Sequence, residues 1–226
     1  MVPEIVKKSK INGSIINHSE HRISEKEIIK KTIKDADAVI YNIGLIRQYP
    51  KKGITFENAH FEGAKRCIDI AKELGVKRFI LMSANGVKYE GTKYQSTKFL
   101  ADQYLKNSNL DWTIFRPSLI FGDPKGTVEF CTQLRNDMLN LPLPAPLFFE
   151  GINIRKAGKF SMSPIHISDT AKFFVKSLEM ESTYKKIYNL GGKQSYNWIE
   201  LIDKISEAVS YTHLRAHETS LHLVCR

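Results

Sequence analysis

Apolar residues along this chain come in short blocks separated by amphipathic stretches. Residues 38–41 (AVIY) and 79–82 (FILM) are uninterrupted apolar runs, each followed by small or polar residues. Runs of that length predict buried strands. A third, residues 111–115 (DWTIF), is closed by Arg116 and Pro117. Between the first two, Phe61, Ala64, Ile68, Ala71 and Leu74 recur at helical spacing. They predict a helix over 56–74 that Gly75 stops. Ser24 and Glu27 have the spacing of a capping box ahead of a stripe of Ile28, Ile29, Thr32 and Ile33. Another helix follows from Tyr94. Strand and helix alternate three times, which predicts parallel βαβ units.

Both ends of this pattern look different. Residues 1–13 are polar, 14–17 predict a short strand, and no apolar signal segment follows Met1. Beyond Gly122 a turn at 122–126 leads to a predicted helix over 127–139. Residues 141–149 (LPLPAPLFF) form a Pro-rich apolar connection that lines a pocket, docks a partner or packs core against lobe. A helix starts at Ser168-Asp169 and runs through Leu178. A strand at 187–190 precedes Gly191-Gly192, and an amphipathic helix covers 198–208. In residues 210–226 the hydrophobic period stops, and three of the seven histidines gather there. His213 and His217 have metal-pair spacing but no positioned carboxylate or thiol, so no metal site is assigned. The segment reads as a non-native adapter-derived tail.

The richest stretch chemically is 79–98. Its strand breaks into Ser83-Ala84-Asn85-Gly86, the composition of a functional loop. Tyr94 and Lys98 then stand four apart, on one face of a helix. A fixed ammonium beside a phenol favours the phenolate, so the pair suits proton transfer. Tyr89 and Lys93 share the spacing, but Glu90-Gly91-Thr92 is loop-like, and the context selects Tyr94.

Composition adds little to this picture. Hydrophobic residues make up 42% and charged ones 26%, as in ordinary globular domains. The net charge of +10 comes from dispersed lysines, with no nucleic-acid motif. Cys67, Cys131 and Cys225 are far apart and read as reduced thiols of a cytoplasmic protein.

In order, the segments DADAVIYNIG, HFEGAKRCIDIAKELGVKRFILMSA, YQSTK, DWTIFRPSLIFGD, SPIHISDTAKFFVKSL and IYNLGG resemble an extended or atypical short-chain dehydrogenase/reductase of the epimerase/dehydratase type. The branch related to the NAD(P)-binding accessory subunit of respiratory complex I is the nearest in pattern. The resemblance covers about residues 14–209. It implies an α/β fold: a doubly wound parallel sheet of Rossmann type with a small C-terminal lobe. The expected division is a partial NAD(P)-binding domain over 1–122, a substrate lobe mainly over 123–209 with some segments returning to the core, and the tail over 210–226.

The implied cofactor is NAD or NADP. Tyr94 matches the catalytic tyrosine, and Lys98 the lysine that holds the nicotinamide ribose and lowers the tyrosine's pKa. Ser83 falls beside the nicotinamide and is the third catalytic candidate, Ile43 and Gly44 fall at a turn passing the cofactor, and Pro117 and Ser118 where cofactor and substrate meet. His166 and Asp169 match a structural motif, with Asp169 or Ser168 as a helix cap. Departures accompany these matches. No G-x-x-G-x-x-G turn is present to cradle the pyrophosphate, and the chain is expected to lack its first βαβ unit. Arg22 stands near a position where relatives carry an adenine-contacting Asp. Ala84 stands where epimerases keep a hydroxyl, and His60 where many extended members have Asn; a satisfied helix histidine is the expected role for His60.

Two functions follow from the resemblance. One is an oxidoreductase or epimerase acting on a carbonyl or hydroxyl of an unidentified small molecule, with this chain impaired in cofactor binding. The other is a non-catalytic nucleotide-binding scaffold of a respiratory or quinone-related assembly, peripheral to the inner face of a membrane. Neither reading involves nucleic acid.

Overall fold

The alternating pattern is realised in a computed structural model that describes residues 26–123 and 160–214, with backbone alone at 206 and 208–214. Its first half runs α1 (Lys26–Ile33), β1 (Ala38–Tyr41), a π-helical segment (Glu57–Glu62), α2 (Gly63–Glu73), β2 (Arg78–Met82), α3 (Lys93–Lys106) and β3 (Asp111–Pro117). Then come β4 (Ile120–Phe121), β5 (Ser161–Met162), β6 (Ile165–His166), α4 (Ile167–Leu178), β7 (Lys186–Leu190), β8 (Tyr196–Asn197) and α5 (Trp198–Leu214). The strand expected at 14–17, Arg22, the Ser24 cap, the helix over 127–139, the connection over 141–149 and His217 lie outside the described residues.

The chain divides into two compact units, and the described part of the first comprises residues 26–117 and 171–190. Here β1, β2, β3 and β7 form one sheet in that order, every neighbouring pair parallel. Val39 aligns with Phe79 and Phe79 with Trp112, fixing the register. A one-residue slip would exchange the two faces. Phe79, Leu81, Trp112 and Ile114 face a core shared with Ile29 of α1, Ile68 of α2 and Leu105 of α3. The alternate residues face the other way, and Phe115 meets Phe174 of α4 at 4.8 Å between ring centroids. Both faces are therefore covered, which is why the strands read as continuous apolar runs. This is the parallel α/β sheet of Rossmann type that the sequence implies.

Three boundaries differ from the sequence reading. The helix over 56–74 has its first turns in π rather than α geometry. Strand β3 extends through Pro117, whose carbonyl accepts from Asn85 N at 2.9 Å. At α4, neither Ser168 nor Asp169 is the cap. The helix starts one residue earlier, at Ile167, so both lie inside its first turn, and Ser168 N donates to His166 Nδ1 at 3.3 Å.

The second unit's described residues are 118–123, 160–170 and 191–214. It holds a parallel pair, β4 with β6, and an antiparallel pair, β5 with β8. Trp198, Leu201 and Ile205 bury a cluster with Leu119, Met162, Tyr196 and Ile202. Asn197 and Glu200 form a reciprocal box that opens α5, each side chain accepting from the other's backbone N–H. The helix continues to Leu214, past the expected end at 208. A Cβ on Gly192 would sit 2.1 Å from the Pro164 carbonyl oxygen, so only glycine fits there. Among the described residues no helix is long and apolar enough to cross a membrane.

Candidate functional site

Helix α3 positions the central pair. Thr92 Oγ1 accepts from Gln95 N, and Gln95 Oε1 accepts from Thr92 N at 2.9 Å. The same Gln95 side chain donates to Gly86 O at 2.9 Å, tying the loop after β2 to the helix start. The Thr-x-x-Gln spacing announces this box in the sequence. Tyr94 and Lys98 then share a face, with Lys98 Nζ 5.8 Å from the Tyr94 ring. Tyr89 is on the loop, 68% exposed, and rests its ring against Phe99.

Tyr94 stands edge-on to two rings, Phe56 at 5.6 Å and His60 at 5.1 Å. His60 is buried in the π-helical segment and stacks on Phe56. Leu45 N donates to His60 Nε2 at 3.0 Å, so the ring's proton belongs on Nδ1. Nδ1 lies 3.1 Å from Thr97 Oγ1, which in turn donates to Lys93 O. One imidazole thus joins the loop after β1 to α3. A π turn within an α-helix is a frequent companion of functional sites, and here it carries the clasp.

Burial, reinforced by the Lys98 charge, lowers His60 to about 3. The unfolded chain protonates this histidine near 6.5 and the folded chain only near 3. Between those values the unfolded state holds more protons, so acidification disfavours the fold. Stability is expected to fall by about 1.4 kcal/mol per pH unit from this group as pH drops below 6.5. Urea titrations of the protein and His60→Asn between pH 6.5 and 4.5 check this: the variant should lose that part of the slope.

Lys98 is 5% exposed, and its Nζ donates to Met82 O at 3.1 Å at the end of β2. Burial lowers its pKa to about 8, opposed by the Asp102 carboxylate one turn along α3. Asp102 is fully buried; its Oδ2 accepts from Arg116 Nε at 3.0 Å and Nη2 at 2.8 Å. Burial raises Asp102, while the Ser83 hydroxyl and Arg116 favour its ionised form. Ser83 Oγ lies near enough to influence that carboxyl, yet neither it nor Asp102 Oδ1 has a partner with hydrogen-bond geometry. Tyr41, Ile43, His60, Ser83, Lys98 and Asp102, among others, line a shared narrow depression.

Most of the expected site residues therefore converge. Ile43 lines the same space as Ser83 and Lys98. A Cβ on Gly44 would stand 3.6 Å from Lys98 Nζ, so this main chain passes close beside the ammonium. Pro117 ends β3 beside Asn85. Ser118 belongs to the second unit, where its hydroxyl accepts from Ser163 N at 3.2 Å.

One expectation needs correction. Lys98 does not lower the Tyr94 phenol; burial raises it. The ammonium is hydrogen-bonded to Met82 O rather than to the phenol, so desolvation dominates. Ser83 is 4% exposed, with its hydroxyl buried and without a hydrogen-bond partner. Asp102 and Arg116 were not singled out in the sequence, although the four-residue step from Lys98 to Asp102 is visible there.

These residues fit the ribose end of a dinucleotide: an ammonium with N–H groups to spare, facing a glycine main chain. A family model described as NAD(P)H-binding matches residues 11–138, more than half of the chain. The chain belongs to the NAD(P)H-binding family.

The chain is also similar to curated proteins and to solved structures. It is 22% identical over 189 residues to NADH dehydrogenase [ubiquinone] 1 alpha subcomplex subunit 9, mitochondrial, of Dictyostelium discoideum, covering 83% of this chain and 49% of that protein. It is also 22% identical over 191 residues to the mitochondrial NADH-ubiquinone oxidoreductase 40 kDa subunit of Neurospora crassa, covering 84% and 46%. The chain thus spans about half the length of these curated relatives. Among solved structures, UDP-glucuronic acid 4-epimerase from Bacillus cereus, in complex with UDP-glucuronic acid and NAD, superposes with a TM-score of 0.63. The identity is 18%, with 83% of this chain and 64% of that chain covered, and this establishes the shared fold.

Proposed function

We propose that this NAD(P)H-binding chain supplies the ribose-and-nicotinamide side of a dinucleotide site and holds the dinucleotide as a structural ligand of a larger assembly. The carrying observation is the Tyr94 phenol, whose pKa burial raises with no compensating influence from Lys98. A phenol held in its neutral form is a poor general base at neutral pH. Ala84 supports the same reading, because it puts a methyl group where epimerases keep a hydroxyl. Lys98, Gly44 and Ile43 would hold the ribose end, and Pro117 would border the nicotinamide. The names of the two curated relatives support a respiratory or quinone-related assembly, with the chain peripheral to the inner face of a membrane.

A second reading rests on the Tyr94–Lys98 face itself: an oxidoreductase or epimerase in which bound NAD(P) supplies or accepts hydride while Tyr94 passes a proton to or from a substrate oxygen. Ser83 would then assist as a hydroxyl. The two readings part on Tyr94→Phe. As a structural site, the variant keeps NADH affinity within about twofold, since only one hydroxyl is removed at a site whose binding rests on Lys98. Any carbonyl reduction that the protein performs and Tyr94→Phe abolishes would establish the enzymatic reading instead. The 226 residues contain no G-x-x-G-x-x-G turn, so the chain is expected to bind NADH more weakly than micromolar. Dihydronicotinamide fluorescence measures both quantities.

A further inference from the structure

The geometry points to Asp102 as a positioning residue that fixes the Lys98 ammonium against the end of β2, with Arg116 clamping the carboxylate from β3. This deepens the proposed dinucleotide site and rests on Lys98 being its ribose contact. Three charged side chains meet here within one turn of α3 and the neighbouring strand. Asp102 is fully buried, and both Arg116 donors fall on a single oxygen, Oδ2. Oδ1 is left without a hydrogen-bond partner, as is Ser83 Oγ, and Asp102, Ser83 and Lys98 line one small space. A buried carboxylate that spends one oxygen on an anchoring guanidinium, leaves the other unpartnered and stands one helical turn from a buried ammonium is poorly explained as a simple ion pair.

The role follows from what surrounds Lys98. On its own helix it meets Tyr94 and Asp102; His60 faces it from the π-helical segment and Tyr41 from β1, with Arg116 behind Asp102 on β3. Of these groups only Asp102 carries negative charge at neutral pH. Without it, two cations would share a buried site with neutral His60 and two phenols, and the lysine would shed its proton. With it, Nζ is held on Met82 O with N–H groups left for a ribose hydroxyl. Arg116 sets how strongly the carboxylate acts, because it shares the same negative charge.

The consequence is a pair of opposite shifts. In the full chain labelled with ¹⁵N-lysine, the Nζ titration of Lys98 is followed by NMR and assigned through Lys98→Arg. Asp102→Asn is expected to lower the Lys98 midpoint by about one pH unit or more, and Arg116→Gln to raise it. Asp102 is fully buried and Arg116→Gln takes away its guanidinium, so Arg116→Lys, which keeps a cation on the carboxylate, is the folded control and should leave the midpoint in place. A Lys98 midpoint unmoved by Arg116→Gln, or moved in the same direction by Asp102→Asn and Arg116→Gln, overturns the assignment; a merely structural ion pair would give that result. NADH titrations on the same samples separate the two layers. If the midpoints move in opposite directions while NADH affinity ignores the charge of Lys98, Asp102 still positions the lysine, and the reading of Lys98 as a dinucleotide contact fails.

Discussion

Replacing Arg78 by alanine is expected to destabilise the fold by about 3 kcal/mol, the largest loss from any single change at the non-site end of the sheet. Arg78 begins β2 and is 5% exposed. Its guanidinium donates to Asp111 O at 2.7 Å, Ser177 O at 2.6 Å, Thr113 Oγ1 at 2.8 Å and Thr183 Oγ1 at 3.1 Å, and it lies 4.5 Å above the Tyr184 ring. One side chain therefore joins β3, the last turn of α4 and the bend before β7. The two threonine hydroxyls have other partners, Thr183 O and Met180 O. The two carbonyls lose a charged donor, and each such loss costs about 1–3 kcal/mol. Part is offset because burying the cation was itself unfavourable, as its lowered pKa indicates. Arg78→Lys should recover little, since an ammonium cannot span the planar fork. Urea unfolding should show a lower midpoint at an unchanged slope. A loss under 1 kcal/mol in Arg78→Ala would mean that the carbonyls find other donors.

The contrast between Arg78 and Lys98 shows what can be read from a sequence of this kind. Strands β1 to β3 were legible because each is a short apolar run and both faces of the sheet are covered. Helix α3 was legible from its start, and the rival Tyr89–Lys93 pair falls on an exposed loop, as its Glu-Gly-Thr neighbours suggest. Depth was not legible. Asp102 and Arg78 carry charges that ordinarily mark a solvated face, and only the packing of α3 on β3, or of α4 on β2, puts them inside. The same gap explains Tyr94: spacing places it over Lys98, but how far the phenol is removed from water depends on Phe56 and His60, which lie more than thirty residues earlier. The π-helical turn was hidden because an i, i+3, i+4 pattern fits either geometry for so short a segment. His60 must reach both Leu45 and Thr97, and that tertiary requirement goes with the wider turn. At α4 the error was one residue, enough to move the cap from Ser168 or Asp169 to His166.

Lys98→Met should move stability and NADH affinity in opposite directions. The folded Lys98 titrates near 8 and the unfolded side chain near 10.5. Between those values the unfolded chain binds more protons, so wild-type stability rises with pH across that window. Below about pH 8 the full burden of charging the buried ammonium is present, on the order of 3 kcal/mol. Methionine fills similar volume without charge and leaves Asp102 paired with Arg116, so the variant is expected to be more stable at pH 7 by about 1–3 kcal/mol. It should also lose the stability gain between pH 8 and 10.5, which urea unfolding at several pH values will show. NADH affinity should fall at least tenfold, because charge-assisted bonds to the ribose are worth about 1.5–3 kcal/mol. The titration must reach NADH concentrations above the wild-type dissociation constant. A variant that is less stable and binds NADH as before would make Lys98 a structural residue and remove the ribose contact from the proposed site. The expected pattern instead marks Lys98 as a group retained against the interest of the fold.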